Sequence, residues 1–482
     1  MLLACIPNVS EGRDQTVLKE LVEAFGGAPG VSLLDIHSDP DHNRSVLTAV
    51  GIGAELAEGA YRLIEAAGRK LDIRKHHGVH PRMGAVDVCP FVPLAGTPLE
   101  EAVSAARALA DRVGSKLGIP VYLYGEAAES PQRRELPRIR RRDPTTLAER
   151  ISTDPAWRPD RGPARLHERF GAIAIGARRP LVAYNVELDT QDVKVAEKIA
   201  KSVREKNGGL AGVRALGLFL SSRKRAQVSC NLVEGAPTTP AALFEKVRDL
   251  AAAQGVKVAR SELVGLMPRE VAYRSLREAL ALEAFSEKKV LEDNLSAALP
   301  LSLYLASIWR SDGGPGGGTV AADAAAAAAA LSAFVCAFGL KESSEHRRWF
   351  AAQAFELHRL GLQDQEAYQA FSKALKEAKK KGGSTREAAE ALRRACLVPL
   401  AVLERIASIL GRLCTIELKR RIAADRKVAA YLLSAAAKAA REMIRVNLEH
   451  PAAAEFQEEF TGRADLLLQS ILEQAAFLAN DR

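Results

Sequence analysis

Cysteine is scarce and scattered in this chain. The six residues, Cys5, Cys89, Cys230, Cys336, Cys396 and Cys414, form no Cys-x-x-Cys pair and stand far apart. Neither a zinc site nor a disulfide framework is expected from such spacing. They read as buried thiols of a reducing compartment. Aromatics make up only 5% of the chain, and no aromatic-rich basic motif of the RNA-binding type is present, which weighs against nucleic acid as a partner. Long apolar runs are also missing. The longest, 324–338, falls short of the ~20 residues needed to span a bilayer, so no membrane partner is expected. The opening MLLACIPNVSEGRD reaches polar residues within a few positions and lacks the apolar core of a signal peptide. The cytoplasm is the expected location.

What is present is ordinary globular composition, 48% hydrophobic and 26% charged. At 482 residues the chain exceeds one ordinary core, and two to three domains are expected. A formal net charge of +9 suits nucleic acid, an anionic membrane or a small polyanionic substrate, and the sum alone does not choose among them.

Two textures divide the sequence. As far as about residue 291, short β-branched runs alternate with helical stretches. Strands are predicted at 2–7, 31–36, 46–51, 86–92, 121–124, 181–188, 215–220 and 226–233. Helices are predicted at 15–25, 55–71, 98–117, 192–205 and 240–254, each with apolar residues at three-and-four spacing. The strands at 31–36 and 46–51 follow one another with no helix between, which favours an antiparallel or mixed sheet. The segment 128–171, rich in Arg and Pro, is expected to join two α/β lobes. From about residue 296 the β signal vanishes. Ala, Leu, Lys, Arg and Glu dominate, interrupted once by GGPGGG before an alanine-rich helix, and a helical bundle follows. The fold class is therefore α+β: two α/β sandwich subdomains, with mixed sheets and helices on one face, followed by an all-α helical bundle.

Three polar segments in the first half can carry chemistry. RKHHGVHPRMGAVDVCPFVP (74–93) holds His76, His77 and His80, three of the nine histidines. No acidic or Cys ligand stands at a familiar metal-binding spacing beside them, and the bland reading is a surface cluster at a helix end. His80-Pro81-Arg82-Met83-Gly84 is more particular, because Pro81 fixes one backbone angle and Gly84 frees another just before a strand. A histidine on such a turn is suited to moving protons near neutral pH. DIHSDPDHNRS (35–45) is longer and more charged than a hairpin needs. It is either a solvated loop with Asx turns or a ligand edge, where Asn43, Arg44 and nearby carboxylates act and Arg44 grips a carboxylate with two prongs. Asn8-Val9-Ser10-Glu11-Gly12 follows the first strand and has a simpler reading, with Ser10 as the N-cap of the next helix.

Taken in order, CIPNVSEGRD, LLDIHSDPDHNRSVLTAVG, HPRMGAVDVCPFVPL, PVYLYGEAA, RPDRGP, LVAYNVEL, AQVSCNLVEG and SELVGLMP resemble the formiminotransferase half of the formiminotransferase-cyclodeaminase family. The resemblance covers the first three-fifths of the chain. It implies subdomains at 1–178 and 179–291 flanking a cleft, in which tetrahydrofolate lies across from N-formiminoglutamate. It also implies His80 as the acid/base residue, transferring a proton as the formimino group passes from glutamate to N5 of tetrahydrofolate. Gly162, Pro163, Phe170 and Gly171 match the family's folate-contacting stretch, and Asn8, Ser10, Asp39, Asn43, Arg44 and Arg82 are the candidate substrate and folate contacts. Mammalian members carry a carboxylate where this chain has His37, so Asp39 or Asp41 is expected to take its place.

The tail at 296–482 resembles the family's cyclodeaminase half. GGPGGGTVAA (313–322) matches its Gly-rich turn, with Gly316, Gly317 and Gly318 as folate contacts, and Asp364 in LQDQEAY falls on its catalytic aspartate. Asp425 matches the aspartate of a Ser-Asp pair whose serine is Ala424 here. Two asparagines of the pattern appear as Lys419 and Met443, while Asn447 remains. Two readings stand: a working cyclodeaminase that closes 5-formiminotetrahydrofolate to 5,10-methenyltetrahydrofolate with loss of ammonia, or a structural relic. The family implies homo-oligomers through the helical domain. The positive charge suits polyglutamylated folate, and no metal is implied. The rival of another class is a basic scaffold that uses RRELPRIRRR (133–142) to contact nucleic acid or anionic lipid.

Overall fold

The computed structural model describes residues 2–28, 30–94, 96–140, 144–233, 237–283, 285–293, 302–308, 315–340, 344–380, 386–417 and 422–480. The chain divides into two compact units, Met1–Asn294 and Leu295–Arg482.

The first unit contains two sheets. In the first lobe β1 (Leu2–Cys5), β2 (Asn8–Val9), β3 (Val31–Asp39), β4 (Arg44–Ile52), β5 (Val86–Pro93), β6 (Val121–Gly125) and β7 (Ile173–Ala177) form a seven-stranded mixed sheet. Both β1 and β2 lie between β4 and β5 and run antiparallel to each. β3 and β4 form the hairpin predicted from the missing helix, while β7 runs parallel to both β5 and β6. Helices α1 (Gln15–Gly26), α2 (Gly53–Lys70) and α3 (Leu99–Arg112) supply Leu18, Leu21, Phe25, Leu56, Leu63, Ile64 and Leu109 to the main core. The first of them is capped by Asp14, which accepts from the amides of Thr16 and Val17. Ser10, the expected cap, is used elsewhere.

The Arg/Pro-rich segment 128–171 does not join the lobes. Strands β6 and β7 are parallel neighbours, and parallel neighbours need a long crossover between them. The segment is that crossover. It carries α4 (Leu136–Ile139) and α5 (Pro144–Thr153) and lays Ile139, Leu147 and Ile151 against Val88, Tyr122, Tyr124 and Ala174. The parallel half of the sheet is thus covered on a second face.

The second lobe is an antiparallel sheet of β8 (Leu181–Leu188), β9 (Val213–Leu220), β10 (Arg225–Val233) and β11 (Val258–Val264), in the order β11-β8-β10-β9. One face, with Val186, Leu188, Val228 and Cys230, is buried with Ile199, Ala200, Leu243 and Val247 of α6 (Val193–Val203) and α7 (Pro240–Ala252). The alternation of a strand sends Asn185, Glu187 and Gln227 to the other face. All three are buried there, against the expectation that an uncovered face is exposed. That face meets the β3–β4 hairpin. His42 Nε2 lies 3.1 Å from Gln227 Oε1, and Asp41 Oδ1 accepts the Ser222 amide at 2.8 Å. The helix α8 (Arg269–Ala279) follows.

The second unit is helical, with α9 (Ser302–Ile308), α10 (Gly317–Gly339), α11 (Ser344–Lys380), α12 (Arg386–Cys414), α13 (Ala423–Leu448) and α14 (Gln457–Asn480). Helix α10 packs against α11 and α13 through Ala321, Ala322, Ala325, Ala328, Ala329 and Ala333, whose small side chains allow close approach. The end of the Gly-rich turn enters this helix, which runs for 23 residues. By length and composition it can cross a membrane, yet half of it is buried against its neighbours, as in a bundle core.

Candidate functional sites

The topology gathers the three polar segments at one end of the first sheet. Val9 pairs with Ser45 and with Val86, so the end of β2, the start of β4 and the start of β5 are adjacent. Ser10 clamps them: its amide donates to Ala85 O at 2.8 Å and its hydroxyl to Gly84 O at 2.7 Å. Asn43 is the hub of the loops. It adopts a left-handed φ of 44°, an uncommon conformation for which Asn is among the better-suited residues. Its Oδ1 accepts the Gly12 amide at 3.0 Å, its Nδ2 donates to His77 O at 3.3 Å, and its carbonyl accepts from His76 Nε2 at 2.7 Å. Gly12 has no room for a side chain, since a Cβ would stand 2.7 Å from Arg44 N and 3.0 Å from Arg44 O.

His80 occupies the centre. Its Nδ1 lies 2.8 Å from Pro81 O and donates to it, which leaves Nε2 as the basic nitrogen. Arg44 Nη1 is 3.2 Å from both ring nitrogens, and Arg140 Nη2 is 3.4 Å from Nδ1. Lost hydration and the two guanidinium charges hold the imidazole well below its usual pKa of 6.5, so it is neutral at physiological pH. Arg44 is itself lowered to about 10 by burial and by Arg140. The ring of His42 stands 5.7 Å from that of His80, and burial lowers its pKa as well.

Two members of this group escaped the sequence reading. Arg140 sits in the basic run that the rival reading gives to nucleic acid or anionic lipid, yet it meets the 1%-exposed Asp87 at 3.0 Å and also donates to Pro81 O. Asp87 accepts the Met83 amide at 2.8 Å and so anchors the turn that carries His80. An aspartate within an otherwise apolar strand, VDVCPFVP, was the available signal. The rest of the run is also paired: Arg133 with Asp160, Arg134 with Glu126 and Arg138 with Glu135. Arg141 and Arg142 lie outside the described residues.

Several candidate contacts are engaged in bonds within the protein. Arg82 donates to His76 O at 2.7 Å and Gly78 O at 3.3 Å, bracing the histidine loop. Asn8 lies in β2 and donates to Ile6 O at 3.3 Å. Asp39 accepts the His42 amide at 2.8 Å, and Asp41 is spent on Ser222, so neither aspartate expected to stand in at position 37 is free. His37 instead faces Glu262 of the second lobe at 3.5 Å. Phe170, expected to contact folate, has a fully buried side chain in the main core, because it closes the sheet end beneath Gly68. Gly171, at φ 81°, bridges Gly84 and so reaches the His80 turn. Gly162, also at φ 81°, and Pro163 follow Arg161, which bridges Val121 at the start of β6. A cavity of about 480 Å³ opens beside the histidine loop, lined by Ser10, Asn43, Lys70, Arg74 and His76 among others, and His80 does not line it. Among the described residues no group of three His, Cys, Asp or Glu stands close enough to hold a metal.

In the helical unit Gly316 caps α10, and the carboxylate of Asp364 lies against the first turn. A Cβ on Gly318 would come within 2.5–2.6 Å of the carboxylate atoms. The Asp364 carboxylate accepts from the Thr319 amide, with the Thr319 hydroxyl at 3.4 Å. Burial raises its pKa despite these bonds. Gly317 faces Met443, whose Sδ would be 2.9 Å from a Cβ, so a thioether borders the Gly-rich turn. Asp425 does not join this group. It lies 18 positions before Met443 on the same helix, roughly 27 Å along the axis at the rise of an α-helix. Asn447 donates to Ala395 O, and Lys419 lies outside the described residues. A further polar set was missed: Asp323 accepts from Tyr304 at 2.7 Å and faces His358 at 2.7 Å. Its signal was that Asp323 is the one charged residue of the alanine-rich helix. A cavity of about 290 Å³, lined by Arg441, Arg445 and Gln457 among others, includes neither Asp364 nor the Gly-rich turn.

Comparison with known proteins fits this division. Residues 2–178 match the formiminotransferase domain, N-terminal subdomain; residues 183–286 match the formiminotransferase domain; residues 300–465 match formiminotransferase-cyclodeaminase. A glutamate formimidoyltransferase of Streptococcus pyogenes is 41% identical, covering 61% of this chain and 98% of its own. The formimidoyltransferase-cyclodeaminase of Sus scrofa is 34% identical, covering 99% of this chain and 98% of its own. A solved formiminotetrahydrofolate cyclodeaminase of Thermotoga maritima is 22% identical with a TM-score of 0.31, covering 40% of this chain and 94% of its own. With a relative above 30% identity matched from end to end, the chain belongs to the formiminotransferase-cyclodeaminase family.

Proposed function

We propose that this protein is a glutamate formimidoyltransferase that moves the formimino group of N-formimino-L-glutamate to tetrahydrofolate, and that its helical unit then carries out the cyclodeamination. The observation that carries the reading is the neutral imidazole of His80, with Nδ1 on Pro81 O and Nε2 facing Arg44 Nη1 at 3.2 Å. Tetrahydrofolate supplies a nucleophilic nitrogen, N5, when bound. His80 Nε2 accepts the proton that the nucleophile gives up and returns it to the departing glutamate nitrogen. Such acid–base help contributes roughly a hundred- to ten-thousand-fold. Arg44 is the residue assigned to the substrate carboxylates, since its guanidinium faces the imidazole. The seam between the lobes suits folate in one respect: Gln227 Nε2 is buried there with no hydrogen-bond partner among the described residues, and a ring carbonyl could accept from it.

The working parts are assigned to 1–178, 179–291 and 296–482. In the last, Asp364 serves as the proton-moving group of ammonia release, a role suited by its raised pKa. The second reading, a relic bundle, is favoured by one observation, Met443 against the Gly-rich turn. The protein is further proposed to act in the cytoplasm as a homo-oligomer on polyglutamylated folate, without metal, membrane or nucleic acid. Equal Michaelis constants for mono- and polyglutamylated folate would count against the tail's involvement.

The test is an assay of the purified protein with tetrahydrofolate and formiminoglutamate, following glutamate, ammonia and methenyltetrahydrofolate absorbance together. All three products are expected. Glutamate without ammonia would leave a transferase with an inactive bundle, and no glutamate would remove the proposal.

A further inference from the structure

We infer that Glu262 is a donor-selecting residue: its carboxylate, reaching across the seam from the second lobe, holds the positively charged end of the formimino group and sets the preference for a formimino over a formyl donor. This rests on the transferase reading above.

The surroundings of His80 are cationic. Arg44 and Arg140 both contact the ring. A formimino group is an amidine and keeps a proton at neutral pH, so its reacting end arrives as a cation bearing two N–H bonds on the terminal nitrogen. Like charges in a partly dehydrated site repel strongly, and a carboxylate must be near to offset them.

Most neighbouring carboxylates are committed. Asp87 lies 3.0 Å from Arg140 and accepts the Met83 amide. Asp39 accepts the His42 amide and has Arg223 at 4.0 Å, while Asp41 gives both oxygens to Ser222. Glu187 is enclosed by Arg223, Arg225 and Arg260.

Asp87 Oδ2 and Glu187 Oε2 are also buried without a hydrogen bond, but Arg140 and Arg225 stand 3.0 and 3.8 Å from them, and Glu262 differs in the surroundings of its second oxygen. Its Oε1 faces His37 at 3.5 Å and Arg260 at 3.7 Å, whereas Oε2 is buried with no hydrogen-bond partner among the described residues. A buried carboxylate oxygen left open is costly unless something supplies a proton to it. Glu262 pairs with Asn185 across β11–β8, and strand alternation puts it on the buried polar face with Glu187 and Gln227. Its charge acts on His42, whose ring neighbours that of His80. The open oxygen therefore belongs to the wall that faces the histidines.

The chemistry suits the placement. In the transfer, the bond from the formimino carbon to the glutamate nitrogen breaks and a bond to the acceptor nitrogen forms. The proton released by the acceptor passes through His80 to the departing amine. The terminal nitrogen stays with the carbon throughout, so a carboxylate holding it remains engaged from start to finish. A formyl donor has an oxygen at that position and no N–H to offer, and the carboxylate repels its lone pairs.

The test compares kcat/KM for N-formiminoglutamate and N-formylglutamate in wild type, Glu262→Gln and Glu262→Asp, read as glutamate release with tetrahydrofolate as acceptor. Loss of a charged hydrogen bond lowers kcat/KM for the formimino donor in Glu262→Gln by roughly 10- to 100-fold. The formyl donor is expected to hold or gain, because the new amide N–H faces its oxygen. Glu262→Asp, which keeps the charge, is expected to keep the formimino preference at a lower rate. Equal losses with both donors, or no loss with the formimino donor, would overturn the inference while wild type is active. A wild type inactive with both donors would overturn the transferase reading and the inference with it.

Discussion

Replacing Gly318 by alanine should silence the helical unit while leaving formimino transfer intact. The new Cβ would stand 2.5–2.6 Å from the carboxylate of Asp364, closer than real Cβ contacts come. Ordinary contact begins near 3.4 Å, so the carboxylate must retreat by about 1 Å and give up the Thr319 amide and hydroxyl. A displacement of this size at a catalytic group costs about a hundred-fold in rate. The fold should tolerate the change: alanine is the better helix former by about 1 kcal/mol, which offsets part of an overpacking cost of about 1–3 kcal/mol. The assay is ammonia release from supplied 5-formiminotetrahydrofolate beside glutamate release in the full reaction, with thermal unfolding as the control for folding. Ammonia release should fall about a hundred-fold, with glutamate release unchanged. Undiminished ammonia release in a folded variant would show that the Asp364–Gly318 contact has no part in the chemistry.

Other consequences can be checked in the same assays. Burial and then the two guanidiniums hold His80 neutral, so glutamate release should stay flat from neutral pH down to well below 6.5 and then fall as the base protonates. Arg140→Gln removes one of these charges, raises the pKa of His80 and moves the acid limb to higher pH; an unmoved limb would contradict the electrostatic account. Gly12→Ala drives a Cβ into the backbone of Arg44, and should lower stability by about 1–3 kcal/mol and glutamate release with it. Asp41→Ala leaves the Ser222 amide unpaired at the seam, costing about 1–3 kcal/mol in thermal unfolding and raising the Michaelis constant for donor or folate.

The strands with strong β-branched runs were legible in the sequence, and so was the hairpin between 31 and 51, because local pattern alone specifies them. Three strands were not. Asn8–Val9 is too short to show a period, and Ile173–Ala177 reads IAIGA, a buried parallel strand without alternation. Val258–Val264, VARSELV, alternates poorly because it is an edge strand, with Arg260 and Ser261 exposed and Glu262 turned to the seam. The reversal of segment 128–171, from linker to crossover, follows from β6 and β7 being parallel neighbours, a long-range fact that no local window contains. At the site, His80 and Arg44 stood out through the turn chemistry around them. Arg140, Asp87 and Glu262 did not, since each gains its meaning from a partner 50 or more residues away, or from the other lobe. Asp425 was assigned by resemblance along the sequence, and helix length carries it away from Asp364.

The central claim is that His80 moves the proton during transfer. The most direct measurement is glutamate release by His80→Ala beside wild type, with ammonia release from supplied 5-formiminotetrahydrofolate as the internal control. The account predicts a loss of roughly a hundred- to ten-thousand-fold in glutamate release with the ammonia rate retained. Glutamate release at the wild-type rate in a folded His80→Ala protein would contradict it.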